Sequence, residues 1–322
     1  MSPTPPSGII IDTDPGVDDA IAIIMALAAG LQVDMSKTGQ GPKVLGLTTV
    51  GGNVPLASGT RNALAVLNAI GRPDIPVYRG SSRPLTGRFS YSFAFHGRTG
   101  LPGRLPRPKA ATTNQSATEF LAARLRASPE EITLVALGPL TNLARLMQRH
   151  PGVLELAGSL FIMGGAVNSP GNVTPHAEFN FYSDPVAADM VMSTTIPITL
   201  VDLGASRQVA LSRKQVAALK GGNRMGELVI RLLQDWFRLD HGRKQFQFYD
   251  PLALAAAIDP QVVGGRHLTL RVETEDQERL GVSQVAGLGG NVLVAERVDS
   301  ARFFSMIKRL FGWEEFDPEN PL

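Results

Sequence analysis

Four aspartates fall within eight residues near the start of the chain, in the run Asp12-Thr13-Asp14-Pro15-Gly16-Val17-Asp18-Asp19. An Asp before a helix is commonly an N-cap, and Asp-Pro-Gly is ordinary turn chemistry. Four carboxylates together demand more. They repel, and one must keep its proton unless a cation lies among them. A hard divalent cation with oxygen ligands is the simplest resolution. The chain has no cysteine, which excludes thiolate metal sites, disulfides and cysteine nucleophiles.

The elements around the cluster give it a place. Gly8 to Asp14 reads as a buried strand. Asp18 to Gly30 is apolar almost all round and reads as a buried helix. Side chains alternate along a strand, so Asp12 and Asp14 are expected on one face. Asp18 and Asp19 open the helix and point roughly 100° apart. One can therefore ligate a metal while the other addresses substrate. All four lie at the carboxyl end of the first strand, where open α/β sheets bind ligands.

Further strands are expected at Lys43–Val50, Ile75–Tyr78, Glu131–Leu137, Ser159–Met163 and Ile198–Leu203, and across Gln261 to Val298. Helices are expected at Pro55–Ile70 with Gly71 as C-terminal cap, at Gln115–Ala127, after Gly138-Pro139, from Asp184, and at Ser300–Phe311. The alternation implies α/β: a single domain over residues 1–322 with a Rossmann-like, mostly parallel sheet and helices on both faces. Residues 1–7 read as a disordered tail. Long loops at Arg79–Thr113, Gly164–Tyr182 and Arg224–Tyr249 interrupt the pattern, and the first and last should overhang the carboxyl ends of the strands.

A formal charge of only +2 with no long basic block gives no reason to expect a nucleic-acid partner. The longest apolar stretch, Ala20 to Leu31, is too short to span a bilayer. A cytoplasmic protein is expected.

The octet Asp12 to Asp19 matches in full the opening motif of the nucleoside hydrolases, the inosine–uridine-preferring family, and the chain resembles that family further along. Thr49-Val50-Gly51-Gly52-Asn53, Gly138-Pro139-Leu140-Thr141-Asn142, Met163-Gly164-Gly165, Glu178-Phe179-Asn180 and Asp250-Pro251-Leu252-Ala253 follow in family order. The resemblance implies hydrolysis of ribonucleosides to free base and ribose. It implies Ca2+ held by Asp14, Asp19, Asp250 and the Leu137 carbonyl, with Asp12 in support and Asp14 as general base for water. Asp18, Asn53, Asn172, Glu178 and Asn180 would grip the ribose, with Met163 close by. A homotetramer or homodimer is likewise implied. The residues agree locally: Glu178 and Asn180 would share one face of an extended segment.

Departure of the base is less defined. Where inosine–uridine-type relatives carry a His, this chain has Tyr249, which resembles purine-selective relatives that stack the base. Tyr is a poor acid at neutral pH. His241, eight residues upstream in Asp240-His241-Gly242-Arg243-Lys244, is a candidate to supply the proton, although that segment also reads as a solvated basic loop. His96, in His96-Gly97-Arg98-Thr99-Gly100-Leu101, resembles a family element near the leaving base. The neighbouring Phe89, Tyr91, Phe93 and Phe95 belong either to a lid or to a strand face. Two other functions share these motifs. A haloacid-dehalogenase-type phosphatase also opens with a strand and Asp-x-Asp, but Gly16 and the lack of a later Gly-Asp-x-x-x-Asp count against it. A non-catalytic nucleoside-binding protein on the same fold is the other.

Overall fold

The computed structural model describes residues 8–31, 43–103, 105–313 and 316. The expected tail at 1–7 lies outside the described residues. The first half of the chain runs β1 (Gly8–Thr13), α1 (Val17–Leu31), β2 (Lys43–Thr49), α2 (Leu56–Ile70), β3 (Val77–Arg79), α3 (Phe93–His96), α4 (Ala117–Ala127), β4 (Ile132–Ala136), α5 (Thr141–Arg149) and β5 (Ser159–Met163). The second half runs α6 (Phe179–Ser183), α7 (Pro185–Met192), β6 (Ile198–Val201), α8 (Leu203–Ser206), β7 (Ala210–Ser212), α9 (Arg213–Ala218), α10 (Arg224–Leu239), β8 (Gln245–Gln247), α11 (Tyr249–Ile258), β9 (Val263–Val272), β10 (Ser283–Leu288), β11 (Val292–Val298) and α12 (Ser300–Phe311).

Nine strands form one sheet in the order β10-β9-β11-β6-β5-β4-β1-β2-β3, and β7 pairs with β8 in a separate ribbon. Strands β1 to β6 pair in parallel, and β9 and β10 add an antiparallel edge. The chain winds outward from β1 to β3, then returns to β1's other side with β4. The switch point therefore lies between β1 and β4, where loops diverge and leave a crevice. Three of the four expected metal ligands, Asp14, Asp19 and the Leu137 carbonyl, follow directly on these two strands.

Period-two alternation divides the sheet residues between two cores. Ile9 and Ile11 join α1, α10, α11 and α12 on one face. Ile10 joins α4, α5 and α7 on the other. All three isoleucines are fully buried, which explains why β1 reads as a continuous apolar run. Gly71 caps α2 with a left-handed φ of 80°, the conformation its lack of a Cβ allows.

Three segments differ from the sequence reading. Arg224–Leu239 is a helix, not a loop, and Asn223 starts it by accepting from the Met225 and Gly226 amides. Phe179–Ser183 is a short helix with Glu178 as its N-cap, so Glu178 and Asn180 do not share a strand face. The aromatic run inside Arg79–Thr113 carries the helical turn α3 and no strand.

Candidate active site

Asp12 lies in β1 on the same side as Ile10. There its Oδ1 accepts from Asn142 Nδ2 of α5 at 2.7 Å and from the Thr48 hydroxyl of β2. Burial pushes its carboxyl up to about 7 despite these donors. Asp14 lies one residue beyond the strand end, in the turn that leads to α1. Asp12 supports from below, and it does not line the cavity.

Asp14 sits in a cradle of backbone. Its Oδ2 accepts from the Asn53 amide, while its buried Oδ1 has no hydrogen-bond partner. A Cβ on Gly52 would lie 2.0 Å from Oδ2, and one on Gly138 2.6 Å from Oδ1. Only glycine at these positions lets the two loops close on the carboxylate.

Asp18 and Asp19 open α1. Asp19 is gripped on both oxygens, by the Thr13 hydroxyl, by the Gly16 amide at 2.9 Å and by Asn53 Nδ2 at 3.1 Å. Asp250 arrives from the first turn of α11, where Phe248 and not Asp250 is the N-cap. Among the described residues, Asp18, Asp19 and Asp250 offer ligand atoms within 4.8 Å of one another. Asp18 thus stands in this trio where the sequence reading had Asp14. Burial first, and mutual repulsion second, raise Asp14 well above the ordinary carboxylate range. The same two causes raise Asp18 and Asp250, and burial raises Asp19. Four dehydrated carboxylates, one with an orphaned oxygen, fit a divalent cation. Its charge would remove the cause of the upward shifts.

Beside the cluster opens a cavity of about 310 Å³. Asp18, Asn53, His96, Leu137, Met163, Asn172, Glu178, Asn180, Tyr249 and Asp250 all line it. Of the site residues that the sequence motifs singled out, Asp14, Asp19 and His241 do not line it. Asn180 Nδ2 donates to the carbonyls of Leu137 at 2.9 Å and Met163 at 3.1 Å, leaving its side-chain oxygen for another partner. Glu178 accepts from the amides of Gly165, Asn180 and Phe181. Burial nevertheless moves its carboxyl up to about 7. Asn172 is exposed on the rim.

The two histidine candidates part company. His241 is exposed in the turn after α10 and does not line the cavity; the solvated-loop reading fits it. His96 lines the cavity and is buried. The Val17 amide donates to its Nδ1 at 3.2 Å. The ring is therefore the neutral tautomer with its hydrogen on Nε2. Burial, and then the nearby Arg243 charge, hold the imidazolium pKa down to about 3.

Sequence reasoning missed the supports. Arg243 is not a solvated charge. It stacks over Trp236 at 4.1 Å and donates to the carbonyls of Trp236, Ala94 and Phe95 at 2.9, 2.7 and 3.0 Å. It straps α3, which carries His96, to the end of α10. Phe95 stands edge-on to Tyr249, with centroids 6.3 Å apart, and shares the cavity wall with it. The adjacency of Phe95 to His96 was the one available signal.

Residues 9–305 match the family described as inosine-uridine preferring nucleoside hydrolase. The chain belongs to this family. A pyrimidine-specific ribonucleoside hydrolase of Shewanella woodyi is 36% identical over 311 residues, with 93% of this chain and 96% of the relative covered. A plant nucleoside hydrolase superposes with a TM-score of 0.84 at 32% identity, covering 95% of this chain and 99% of its own. A purine-preferring ribonucleoside hydrolase of Gardnerella vaginalis superposes at 0.85 with 27% identity, covering 95% and 98%. This nucleoside hydrolase is thus an enzyme of ribonucleoside cleavage. The phosphatase reading falls with that match, and Asp12, engaged away from the cavity, has no place as a phosphatase nucleophile.

Proposed function

We propose that the cavity hydrolyses the N-glycosidic bond of ribonucleosides with one Ca2+ held by Asp14, Asp19, Asp250 and the Leu137 carbonyl. The observation that carries this reading is the orphaned, buried Asp14 Oδ1 within a four-carboxylate cluster beside a cavity lined with amides and carboxylates. An all-oxygen donor set suits a hard cation. The Leu137 carbonyl spends one lone pair on Asn180 and keeps another.

A cation held by these residues would lower the pKa of a water beside it. Asp14 takes the proton of the attacking water as general base. Asp18, Asn53, Asn172, Glu178 and Asn180 hold the ribose hydroxyls, and the buried carboxylates stabilise the positive charge that develops on the sugar. The base lies against Phe95 and Tyr249. With burial pushing the Tyr249 phenol up to about 12, it stacks and hydrogen-bonds without acting as an acid. A neutral His96 does not surrender a proton easily. Its Nε2–H stabilises the departing base by a hydrogen bond instead, as neutral imidazoles do elsewhere.

No helix among the described residues is long and apolar enough to cross a membrane. We infer a cytoplasmic homodimer or homotetramer, which light scattering would distinguish from a monomer. The function is tested by incubating the enzyme with uridine, inosine and their 2′-deoxy forms. Equimolar base and ribose should appear from the ribonucleosides. The deoxy forms should react far more slowly, since they leave buried polar groups unpaired. Binding of uridine with no ribose released would instead favour the non-catalytic reading.

A further inference from the structure

A second cavity, of about 380 Å³, lies at the far side of β3 and shares no lining residue with the first. Arg79, Arg83, Arg145 and Arg149 line it, together with Ser81, Ser82, Ser116 and Thr118, and no acidic residue does. None of the four guanidinium groups forms an ion pair among the described residues. Two acidic groups nearby have other partners, although Asp184 also feels the Arg145 charge. Asp184 accepts from the Leu85 and Ala187 amides and the Thr141 hydroxyl, and Glu119 pairs with His150 at 3.1 Å.

Arg79, Arg83 and Arg149 are exposed and Arg145 is half-buried, so solvent and, for Arg145, the Asp184 charge soften their mutual repulsion without any ion pair. The walls are nevertheless built. Arg79 and Ser116 form a parallel bridge that ties the end of β3 to the start of α4. Ser81 and Thr118, only 8% and 4% exposed, are among the residues that line the cavity. Guanidinium forks, hydroxyl-bearing side chains and the positive end of the eleven-residue α4 meet there. All of them prefer one chemistry, a multiply charged oxyanion with several acceptors.

We propose that this cavity binds a terminal phosphate group, either free inorganic phosphate or the phosphate of a nucleotide. Ser81 gives the site a physical link to the carboxylate cluster. Its carbonyl accepts from the Gly51 amide at 2.9 Å, beside Gly52-Asn53, and its amide donates to Asn142, which holds Asp12.

Calorimetry on the full-length enzyme in low-chloride buffer tests this, with inorganic phosphate and uridine 5′-monophosphate as separate probes. Inorganic phosphate should bind the wild type in the submillimolar range. The double variant Arg145→Gln/Arg149→Gln should weaken it at least tenfold, roughly the loss of two charge-assisted contacts. Thr118→Val should weaken it less. Uridine hydrolysis should be unchanged in the double variant, confirming its fold. Monophosphate binding that falls in parallel shows that a nucleotide is also accepted. Absence of saturable phosphate binding by the wild type up to about 5 mM, or binding indifferent to the double substitution, overturns the proposal.

Discussion

At the residue scale, two aspartates four positions apart in sequence have distinct expected roles. Asp14 offers an orphaned oxygen in a glycine cradle, and Asp18 lines the cavity. Asp14→Asn should abolish both Ca2+ binding and turnover. Asp18→Asn should keep Ca2+ binding within about tenfold and lose turnover on every ribonucleoside. Calorimetry on the two variants separates the roles, and equal loss of Ca2+ binding would make Asp18 a ligand, as the Asp18–Asp19–Asp250 grouping allows. His96→Ala should slow uridine and inosine roughly 100-fold, the usual scale for removing one such donor. It should leave p-nitrophenyl riboside nearly untouched, since that leaving group departs unaided. His241→Ala should alter neither rate. The aspartates and amides were legible because their motifs are contiguous in sequence. The choice between His96 and His241 was not, because only tertiary packing sets which imidazole reaches the cavity.

At the element scale, α3 owes its position to Arg243 and β1 owes its Asp12 to α5. Arg243→Ala removes three backbone carbonyl contacts and the stacking on Trp236. It should lower kcat/KM on uridine roughly 10- to 100-fold through misplacement of His96. The pNP-riboside rate should hold, a pattern that a merely structural role would not give. Asn142→Ala leaves the Ser81 amide without its partner and strips one donor each from Asp12 and from the Thr49 carbonyl, which keeps the Gly80 amide. Urea unfolding should show a loss of about 3 kcal/mol. The regular β-α succession could be read because β1 and β4, buried on both faces, stand out as short apolar runs between helical stretches. Helix α6 could not, because Glu178 creates it by turning its carboxylate back onto two amides. A Glu N-cap is not among the usual start signals. Helix α10 was obscured by the basic and aromatic residues around its end.

At the scale of the whole molecule, the sheet's switch point gathers buried carboxylates whose pKa values lie above their unfolded ones. Asp12 and Glu178, both at about 7 when folded, release their protons near pH 4 when unfolded. The folded state therefore binds more protons, and the cation-free protein should lose stability as pH rises from about 4 to 7. Scanning calorimetry should show its Tm falling over that window. Added Ca2+ should raise Tm, and by more at pH 8 than at pH 5, since protons compete for the same carboxylates.

The central claim is that a cation in the carboxylate cluster is needed for glycosidic hydrolysis. Its most direct test is free ribose released from uridine by enzyme that has been stripped with chelator and then titrated with Ca2+. Turnover should vanish on stripping and return in proportion to Ca2+ added, saturating at one ion per chain. Undiminished ribose release from the stripped enzyme would contradict the account.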